Sequence, residues 1–343
     1  MDQKNNASDL NLDKLDKDFF KIFKNQVKEF VGFIKRKKRL AVQVGLVMVL
    51  FCLLPTQNYY AKLNIPLGKP VVRSADLVLS DLPLYPVNIT GQRPPWLTAF
   101  SYLVVDVTSK VIILAKNPDV KLFPASTTKI MTGLVALDYW QLDDVLSVKT
   151  VYNLGQIVGL EAGETISLEN LLYGLLVQSG NDAAMALAEN YPGGVEEFVK
   201  VMNQKAKDLN LLETNFVNPT GVEAYQHVTT AHDLAILASL AMDNQVFAKM
   251  VATPAITITD TSGLIENRLE NINKLLGKVA GVKGVKTGWT ENAGECLVAY
   301  TQRGDRKIIT VVLNSQDRFS ETEQLIEWVF ANFNWEPTKS SPE

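Results

Sequence analysis

The sequence predicts a mixed α/β protein in which helices cover one antiparallel sheet, preceded by an N-terminal transmembrane helix. Three observations lead to this prediction. Strand-like runs lie at both ends of the main body, and helical periodicity fills its middle. An uncharged apolar stretch spans residues 40–61 and directly follows a basic run. The chain has 343 residues, of which 47% are hydrophobic, so it can bury a sizeable core and is not a mostly disordered chain.

The N-terminal region is interpreted as a membrane anchor. Its strongly apolar part, residues 40–54, is short for a span of about 20 residues, and the neutral stretch through Tyr59 and Tyr60 completes it. The basic run Lys35 to Arg39 precedes it, and positive residues stay on the cytoplasmic side. We therefore expect a single-pass protein of the cell membrane with its main domain on the extracytoplasmic side. A cleaved signal peptide is the alternative, for which the preceding 39 residues are long.

Proline content separates the anchor from the main domain. Seven of the 14 prolines fall between Pro55 and Pro95, which disfavours helices and central strands there. Before the anchor, apolar residues recur at helical spacing between lysines, which fits either an amphipathic helix on the inner leaflet or a solvated tail. The predicted division is a basic cytoplasmic tail (1–39), the anchor (40–61), an extended spacer (62–97), the main domain (98–335) and a short tail (336–343).

The main domain shows strand patterns, then helical patterns, then strand patterns again. Tyr102–Val107 and Val111–Ala115 are β-rich runs joined by a short turn, which predicts a hairpin. A helix is predicted to begin near Ser126. Later helices are predicted at 168–178, 182–190, 195–209, 231–241 and 321–333, and later strands at 296–301 and 307–313. The simplest packing joins the strands of both ends in one antiparallel sheet.

Charge and reactive residues exclude several classes of protein. Residues 1–39 carry 11 Lys or Arg and 6 Asp or Glu, and residues 40–61 carry no charge, so a total of −3 leaves −8 for residues 62–343. An acidic body argues against nucleic acid as the main partner. Cys52 and Cys296 cannot form a disulfide framework, and a chain with only two histidines is a poor candidate for a His-rich metal site.

The first candidate motif is Ser-x-x-Lys at residues 126–129. On a helix the two side chains share a face, and Ser126 at the helix start would lie where the dipole favours developing negative charge. A serine hydroxyl is a poor nucleophile unless a base takes its proton. Lys129 can be that base only when neutral, which requires desolvation or a neighbouring positive charge. Taken alone, the motif also fits a serine N-cap followed by a surface lysine.

The second candidate motif is Ser179-Gly180-Asn181, which lies between two predicted helices. A loop in this position can project a hydroxyl and an amide into a cleft. Ser179 could then relay a proton to a leaving nitrogen, and Asn181 could hold a substrate amide. The alternative is an ordinary turn between helices, capped by Asp182.

The third candidate motif is Lys286-Thr287-Gly288, followed by Trp289. An edge strand here could pair with an extended substrate backbone, and these four residues are the predicted substrate-binding set. Lys286 would supply positive charge to Lys129 and to a substrate carboxylate, and Gly288 would let a ligand approach the backbone closely. The backbone N–H groups of Ser126 and Trp289 are candidates for an oxyanion hole. The alternative is a turn at a strand end.

Together the three motifs, each present once and in this order, resemble the signature of the penicillin-recognising serine enzymes. Within that class the chain looks like the D-alanyl-D-alanine carboxypeptidases of the low-molecular-mass penicillin-binding proteins, from about residue 97 to about residue 315. Further strings that resemble the family are Asn218-Pro219-Thr220-Gly221 and Thr229-Thr230-Ala231-His232-Asp233.

This resemblance implies a β-lactamase- and transpeptidase-like fold, with an antiparallel sheet flanked by helical clusters and the site at their junction. It implies that Ser126 attacks the carbonyl between the two terminal D-alanines of a peptidoglycan stem peptide, that D-alanine leaves, and that water releases the acyl-enzyme. β-Lactam antibiotics would acylate the same serine. The catalytic residues carry over as Ser126, Lys129, Ser179 and Asn181, with Lys286 on the carboxylate side of the substrate. No metal or organic cofactor is implied.

Two positions depart from the family pattern, and several functions stay open. Trp289 stands where well-known members have histidine, and Gly180 where many have alanine. An endopeptidase or transpeptidase acting on cross-linked peptidoglycan would use the same residues. A serine β-lactamase would need a deacylating glutamate, and Glu161, Glu164 and Glu169 lie in the right interval but outside the expected string. An inactive peptidoglycan-binding module is the alternative from another class.

Overall fold

The computed structural model of the chain describes residues 84–337 without a break, and scattered positions between 24 and 49. The predicted anchor lies almost wholly outside the described residues, and residues 62–83 of the predicted spacer lie entirely outside them. Where the structure describes the chain, no single helix is long and apolar enough to cross a bilayer. Only the helix pair Ala231–Asp243 and Gln245–Val251, bent by 106°, reaches that length and hydropathy when the two are joined.

Residues 84–337 belong to one compact unit that contains both helices and strands. In chain order its elements are β1 (Tyr85–Asn88), β2 (Ser101–Asp106), β3 (Ile112–Lys116), a 3-10 turn (Ala125–Thr128), α1 (Lys129–Tyr139), β4 (Val145–Ser147), β5 (Thr165–Ser167), α2 (Leu168–Leu176), α3 (Asn181–Asn190), α4 (Gly194–Asp208), α5 (Ala231–Asp243), α6 (Gln245–Val251), β6 (Ala255–Thr259), β7 (Glu266–Glu270), β8 (Val282–Thr290), β9 (Gly294–Arg303), β10 (Arg306–Ser315), α7 (Arg318–Asn332) and β11 (Phe333–Glu336).

A five-stranded antiparallel sheet in the order β3-β2-β10-β9-β8 organises the unit. Strand β2 from the start of the unit pairs with β10 near its end, with Val104 opposite Thr310. This confirms the prediction that strands from both ends of the domain share one sheet. The predicted strands and the later helices all form, and their observed bounds differ from the predicted ones by a few residues at most.

The sheet has an apolar layer on each face, as the alternation of side chains along a strand requires. Leu103 and Val311 lie in the larger core, which contains the buried residues of α1 to α6. Val104 and Val312 lie in a second core, together with Leu325 and other residues of α7. The sheet is therefore flanked by helices on both faces, and its outer strand β8 borders the larger helical cluster.

The folded unit extends further towards the N-terminus than the predicted boundary at residue 98. Strand β1 lies inside the predicted spacer and pairs antiparallel with β11, with Pro86 opposite Trp335. A two-stranded sheet tolerates this proline because each strand has a free edge where no N–H is needed. Trp335 also donates a hydrogen bond from Nε1 to Asp106 Oδ1 at 2.8 Å, which fastens β11 to the end of β2. The two-stranded antiparallel pairs β4–β5 and β6–β7 were not predicted, because their strands are only three to five residues long.

Candidate active site

The first motif lies where the chain enters α1. Ser126 lies within the 3-10 turn, and Lys129 is the first residue of α1, so the two side chains are one helical turn apart. Lys129 is completely buried, because the remainder of α1 packs into the larger core, and its Nζ lies 3.1 Å from Ser126 Oγ. Neither alternative for the isolated motif holds: the serine is not an N-cap, and the lysine is not on the surface.

The surroundings of Lys129 favour a neutral amine. Its Nζ donates to Asn181 Oδ1 and to the Thr220 carbonyl, both at 2.6 Å. These two oxygens can only accept, whereas the Ser126 hydroxyl can donate. An ammonium would donate to all three oxygens. A neutral amine, with two N–H bonds and one lone pair, would donate to Asn181 and Thr220 and accept from the Ser126 hydroxyl. Burial lowers the pKa of Lys129 to about 7, against an opposing effect of the Asp182 carboxylate.

The second motif occupies the turn between α2 and α3. Ser179 has a left-handed backbone with φ of +63°, and Asn181 begins α3. The Asn181 amide donates from Nδ2 to the Leu154 carbonyl at 2.7 Å, while its oxygen accepts from Lys129. Asn181 therefore holds the base and joins it to the loop over residues 154–160.

Asp182 holds the same loop from the other side. Its buried carboxylate accepts backbone N–H bonds from Val158, Gly159 and Leu160 at 2.8 to 3.1 Å. A Cβ at Gly180 would lie 2.6 Å from Val158 Cγ2, so a valine methyl occupies the space that an alanine would need. The glycine is therefore matched to the packing of this loop.

The third motif lies within the outer strand of the sheet, as the predicted edge strand requires. Lys286 is buried, and its Nζ donates to Ser179 Oγ at 2.8 Å and to the Thr287 carbonyl at 3.1 Å. Burial, followed by the charges of Lys129 and Arg318, holds the pKa of Lys286 well below its usual range. The second and third motifs are thus joined by a direct hydrogen bond.

The three motifs surround one cleft of about 690 Å³, lined by Ser126, Ser179, Asn181, Thr287, Gly288 and Trp289 together with Leu154–Gln156, Gly221–Glu223, Ile272, Thr290, Glu291 and Arg318. Strand β8 packs directly on the 3-10 turn, since a Cβ at Gly288 would lie 3.0 Å from Ser126 N. Trp289 projects outward and is 62% exposed. All eight residues predicted as catalytic or substrate-binding lie at this cleft or border it, and their chemical roles stay a proposal.

Sequence reasoning assigned no role to the loop over residues 218–221, although it carries one of the partners of Lys129. Asn218 Oδ1 accepts from the Thr220 N–H at 3.1 Å, from the Thr220 hydroxyl at 2.8 Å and from the Gly221 N–H at 2.8 Å. This side-chain turn aims the Thr220 carbonyl at the lysine. The string Asn-Pro-x-Gly is a turn signal and could have indicated the geometry, but not what the carbonyl contacts.

Replacing Gly221 with alanine is expected to destabilise the protein by about 3 kcal/mol or more, because strain and steric overlap add. Gly221 has a φ of +87°, and a Cβ there would lie 1.9 Å from the Ala125 carbonyl oxygen. Thermal denaturation measures the effect. The matched control is Gly304→Ala. Gly304 has a φ of +61°, and an added Cβ would have nothing within 4 Å, so this variant introduces backbone strain without steric overlap. Equal losses in the two variants would contradict the packing argument.

Arg318 is a second residue that sequence reasoning missed. It begins α7 and donates from Nη1 to the Gly288 carbonyl at 2.8 Å, at the cleft. Its buried Nε and the buried Thr287 Oγ1 have no hydrogen-bond partner among the described residues. Arg318 follows Gly288 of the third motif by 30 positions, so no local sequence pattern indicates that it lies at the cleft, and only the tertiary structure shows it.

None of the three glutamates considered for a β-lactamase reaches the cleft in the described part of the chain. Glu161, Glu164 and Glu169 are absent from its lining. Glu164 is buried elsewhere and accepts a hydrogen bond from the Glu161 N–H at 2.9 Å. Within the same described residues, no three His, Cys, Asp or Glu side chains lie close enough together to hold a metal ion.

A Ser-x-x-Lys turn, a Ser-x-Asn turn and a Lys-Thr-Gly edge strand that meet at one cleft are the arrangement of the penicillin-recognising serine enzymes. Residues 88–317 match the peptidase S11 family, described as D-alanyl-D-alanine carboxypeptidase, and the chain belongs to this family. The family membership confirms the resemblance inferred from the motifs.

Individual relatives carry more than one description. The chain is 34% identical over 249 residues to the D-alanyl-D-alanine carboxypeptidase DacF of Bacillus subtilis, an alignment that covers 70% of this chain and 64% of DacF. It therefore spans less than two thirds of that relative. It is also 34% identical over 241 residues to a D-alanyl-D-alanine endopeptidase of Pseudomonas aeruginosa, with 68% and 77% covered.

Solved structures share the fold. The Streptomyces K15 DD-transpeptidase superimposes with a TM-score of 0.66 at 31% identity, covering 70% of this chain and all of that one. A D-alanyl-D-alanine carboxypeptidase from Mycobacterium tuberculosis H37Rv superimposes with a TM-score of 0.66 at 31% identity, covering 71% and 95%. The predicted transpeptidase-like α/β fold is thereby confirmed for the described unit.

Proposed function

We propose that this chain is a serine-type D-Ala-D-Ala carboxypeptidase that removes the terminal D-alanine from peptidoglycan stem peptides. One observation carries the proposal. The Lys129 amine is fully buried, lies 3.1 Å from Ser126 Oγ, and lies 2.6 Å from both Asn181 Oδ1 and the Thr220 carbonyl oxygen, while burial lowers its pKa to about 7. The neutral amine can donate its two N–H bonds to those two oxygens. Its remaining lone pair is placed to take the serine proton.

Acylation follows from this geometry. Ser126 Oγ attacks the carbonyl between the two D-alanines while Lys129 takes the hydroxyl proton. The N–H groups of Ser126 and Trp289 hold the resulting oxyanion. The proton then passes from Lys129 to the leaving nitrogen, with Ser179 as the relay that Lys286 holds at 2.8 Å. The C–N bond breaks, D-alanine leaves, and an ester remains on Ser126.

Deacylation uses the same groups in reverse. Lys129 takes a proton from a water molecule as that water attacks the ester carbonyl. The proton returns to Ser126 Oγ as the C–O bond breaks, and the shortened peptide leaves as an acid. A β-lactam would acylate Ser126 by the same first step, with the ring nitrogen as the leaving group. The residues described here need no metal ion or organic cofactor for any of these proton transfers.

The free carboxylate of the substrate is assigned to the Thr287 and Arg318 side of the cleft. Thr287 Oγ1 and Arg318 Nε are buried donors without partners in the described part of the chain, and leaving such donors unpaired is costly. A carboxylate oxygen can accept from either donor, so we propose that the terminal carboxylate binds on this side of the cleft. Lys286 precedes Thr287 in the chain and donates to the Thr287 carbonyl at 3.1 Å.

Replacing Arg318 with methionine is therefore expected to lower kcat/KM for a D-Ala-D-Ala peptide by about 10- to 100-fold, since a hydrogen bond to a charged group contributes about 1.5–3 kcal/mol. Steady-state D-alanine release measures it. The matched control is Arg268→Met on β7, an exposed arginine outside the cleft, which should leave kcat/KM unchanged. A neutral amide-ended peptide should lose little in the Arg318 variant, and an equal loss for both peptides would contradict the carboxylate role.

The main alternative is an endopeptidase or transpeptidase that acts on cross-linked peptidoglycan instead of removing the terminal D-alanine from stem peptides. Some relatives are described as endopeptidases and some neighbouring structures as DD-transpeptidases, and both activities would use the same residues. The test is mass spectrometry of purified peptidoglycan before and after incubation with the full-length chain. Loss of pentapeptides with release of D-alanine supports the carboxypeptidase, and loss of cross-linked dimers supports the endopeptidase. If the peptidoglycan does not change at all, both are wrong.

We also propose that residues 40–61 anchor the enzyme in the cell membrane, with the domain on the extracytoplasmic side where peptidoglycan lies. The uncharged apolar stretch and the basic run before it support this orientation. An alkaline phosphatase fusion after residue 70 should be active, because that enzyme needs an extracytoplasmic environment. An inactive but stable fusion would reverse the proposed orientation.

A further inference from the structure

Two consecutive residues at the start of α3 hold the loop over residues 154–160, and each binds one kind of backbone group. Asn181 is the donor. Its backbone N–H bonds the Gln156 carbonyl at 2.7 Å, and its Nδ2 bonds the Leu154 carbonyl at 2.7 Å. Asp182 is the acceptor, and its carboxylate takes three N–H groups from the second half of the loop. The first half of the loop lines the cleft, so these two residues together hold one wall of the site.

Backbone donors stabilise the buried charge of Asp182. The residue is 3% exposed, and besides the three loop N–H groups its Oδ1 accepts the Ala183 N–H at 2.9 Å. None of the ion pairs within the described residues includes it. A buried carboxylate is costly unless hydrogen bonds or an opposite charge compensate it. The Asp182 carboxylate and the loop therefore stabilise each other, and removing the carboxylate would release the loop.

The loop in turn determines which way the Asn181 amide points. The Leu154 carbonyl oxygen only accepts hydrogen bonds, so it requires the NH2 end of the amide. The amide oxygen is then left to face Lys129, whose Nζ lies 2.6 Å away. A reversed amide would set its NH2 group against the N–H bonds of the amine. The observed orientation gives one N–H of the neutral amine an acceptor and leaves the lone pair for the Ser126 hydroxyl.

We infer that Asp182 is a positioning residue for acylation, which fixes the loop over residues 154–160 and thereby the orientation of the Asn181 amide at Lys129. Asp182 does not line the cleft, so it acts through these contacts and not on the substrate. The inference rests on the acylation step of the proposed function, in which Lys129 is the base for Ser126. A small displacement of reacting groups can lower a rate by about 100-fold, so a residue outside the cleft can have a large effect.

Replacing Asp182 with asparagine in the full-length enzyme tests the inference. The new NH2 group would face backbone N–H groups that the carboxylate accepts from. The second-order rate constant for acylation by benzylpenicillin should fall about 10- to 100-fold. The matched control is Asp260→Asn, which should keep the native rate. Asp260 also holds a loop by three backbone N–H bonds, from Ser262, Leu264 and Ile265, but lies outside the cleft.

A double-mutant cycle shows whether Asp182 acts through Asn181. The Asn181→Ala background has no amide left to orient, so adding Asp182→Asn there should lower the rate constant further by less than about twofold. The same change in the native background should have its full effect. Equal losses in the two backgrounds would overturn the inference, because Asp182 would then act independently of the amide.

The pH profile separates positioning from charge. The charged and titratable groups around Lys129 are Asp182 on α3, Lys286 on β8 and His227 before α5. The Asp182 carboxylate raises the pKa of Lys129, so its removal should move the rising part of the profile to lower pH. Loss of orientation instead lowers the plateau, where the amine is already neutral. A shifted profile with a native plateau would show that Asp182 acts by charge alone, and would overturn the inference.

Gly155→Ala disturbs the same contact without removing a charge, and it decides the question if Asp182→Asn does not fold. Gly155 has a φ of +69°, and a Cβ there would lie 2.7 Å from Asn181 Nδ2. The matched control is Gly163→Ala, with a φ of +87° and nothing within 4 Å of the added Cβ. Acylation should fall about tenfold or more in the first variant and stay within about twofold of native in the second. Equal rates in the two variants would overturn the inference.

The outcomes separate this inference from the proposed function. If the native chain releases D-alanine and Asp182→Asn is acylated at the native rate, the function stands and the inference is overturned. If penicillin acylates the native chain but no D-alanine is released from a D-Ala-D-Ala peptide, the proposed function fails, and the acylation rates still decide the role of Asp182. If the native chain does neither, both are wrong.

Discussion

Replacing Ser126 with alanine is expected to reduce D-alanine release by about 10⁴-fold or more, because no other group can form the acyl bond. Ser126 Oγ is the hydroxyl 3.1 Å from the buried Lys129 amine. Ser179 Oγ also lies in the cleft and accepts from Lys286 at 2.8 Å, so D-alanine release that persists in the Ser126 variant would point to Ser179 as the nucleophile. The measurement is D-alanine released from Nα,Nε-diacetyl-L-Lys-D-Ala-D-Ala by the purified full-length chain.

Covalent labelling gives the same prediction a second readout. A fluorescent penicillin should label the native chain and fail to label the Ser126→Ala variant. The control is Cys296→Ala, which removes the buried thiol of β9 and should still be labelled. Burial raises the pKa of that thiol to about 11, so it is a poor nucleophile at neutral pH. A peptide map with the label on any residue other than Ser126 would refute the assignment of the nucleophile.

Replacing Lys129 with methionine is expected to reduce acylation by benzylpenicillin by about 10³-fold or more, because the serine loses its base. Methionine matches the length of the lysine chain and is tolerated in a buried position. The matched control is Lys200→Met on α4, an exposed lysine that pairs with Glu196 and Glu197 and lies outside the cleft. Labelling of the Lys129 variant at the native rate would show that another group takes the proton.

The pH dependence of acylation tests the protonation state of the same lysine. Burial lowers the pKa of Lys129 to about 7, so the neutral form is the minor form below that pH and the major form above it. The second-order rate constant with benzylpenicillin should therefore rise about tenfold per pH unit up to about 7 and then level off. A profile that is flat from pH 5 to 8 would mean that the reacting base is not this amine.

Most of the site could be predicted from the sequence, because each motif lies on or beside a helix or strand that the local pattern of apolar residues predicts. Ser126 precedes a strongly apolar helix that begins at Lys129, and Lys286 lies in a β-rich run, so the motifs could be placed on a turn, a helix and a strand. The helices from 168 to 243 were clear for the same reason. Residues that act through backbone atoms or distant contacts could not be found this way.

Thr220 and Arg318 illustrate that limit. Thr220 contributes its carbonyl, which every residue has, so no side-chain pattern distinguishes it. Arg318 reaches the cleft only because α7 packs on the sheet and its first residue meets β8. The β1–β11 pair was missed in a similar way, because its partners are joined by tertiary pairing rather than by a hairpin, and proline density argued for a spacer.

The surroundings of the Lys129 amine exist only in the folded protein, so the reactivity of Ser126 depends on complete folding. Its oxygen partners come from residues 52 and 91 positions further along the chain, and the sheet beneath them closes only when β10 pairs with β2. Such contacts have high sequence separation and form late relative to local structure. A partly folded chain therefore has no competent nucleophile, and the capacity to react with a penicillin reports completion of the tertiary structure. A fluorescent β-lactam would then serve as a conformational probe that counts native molecules independently of any peptide substrate.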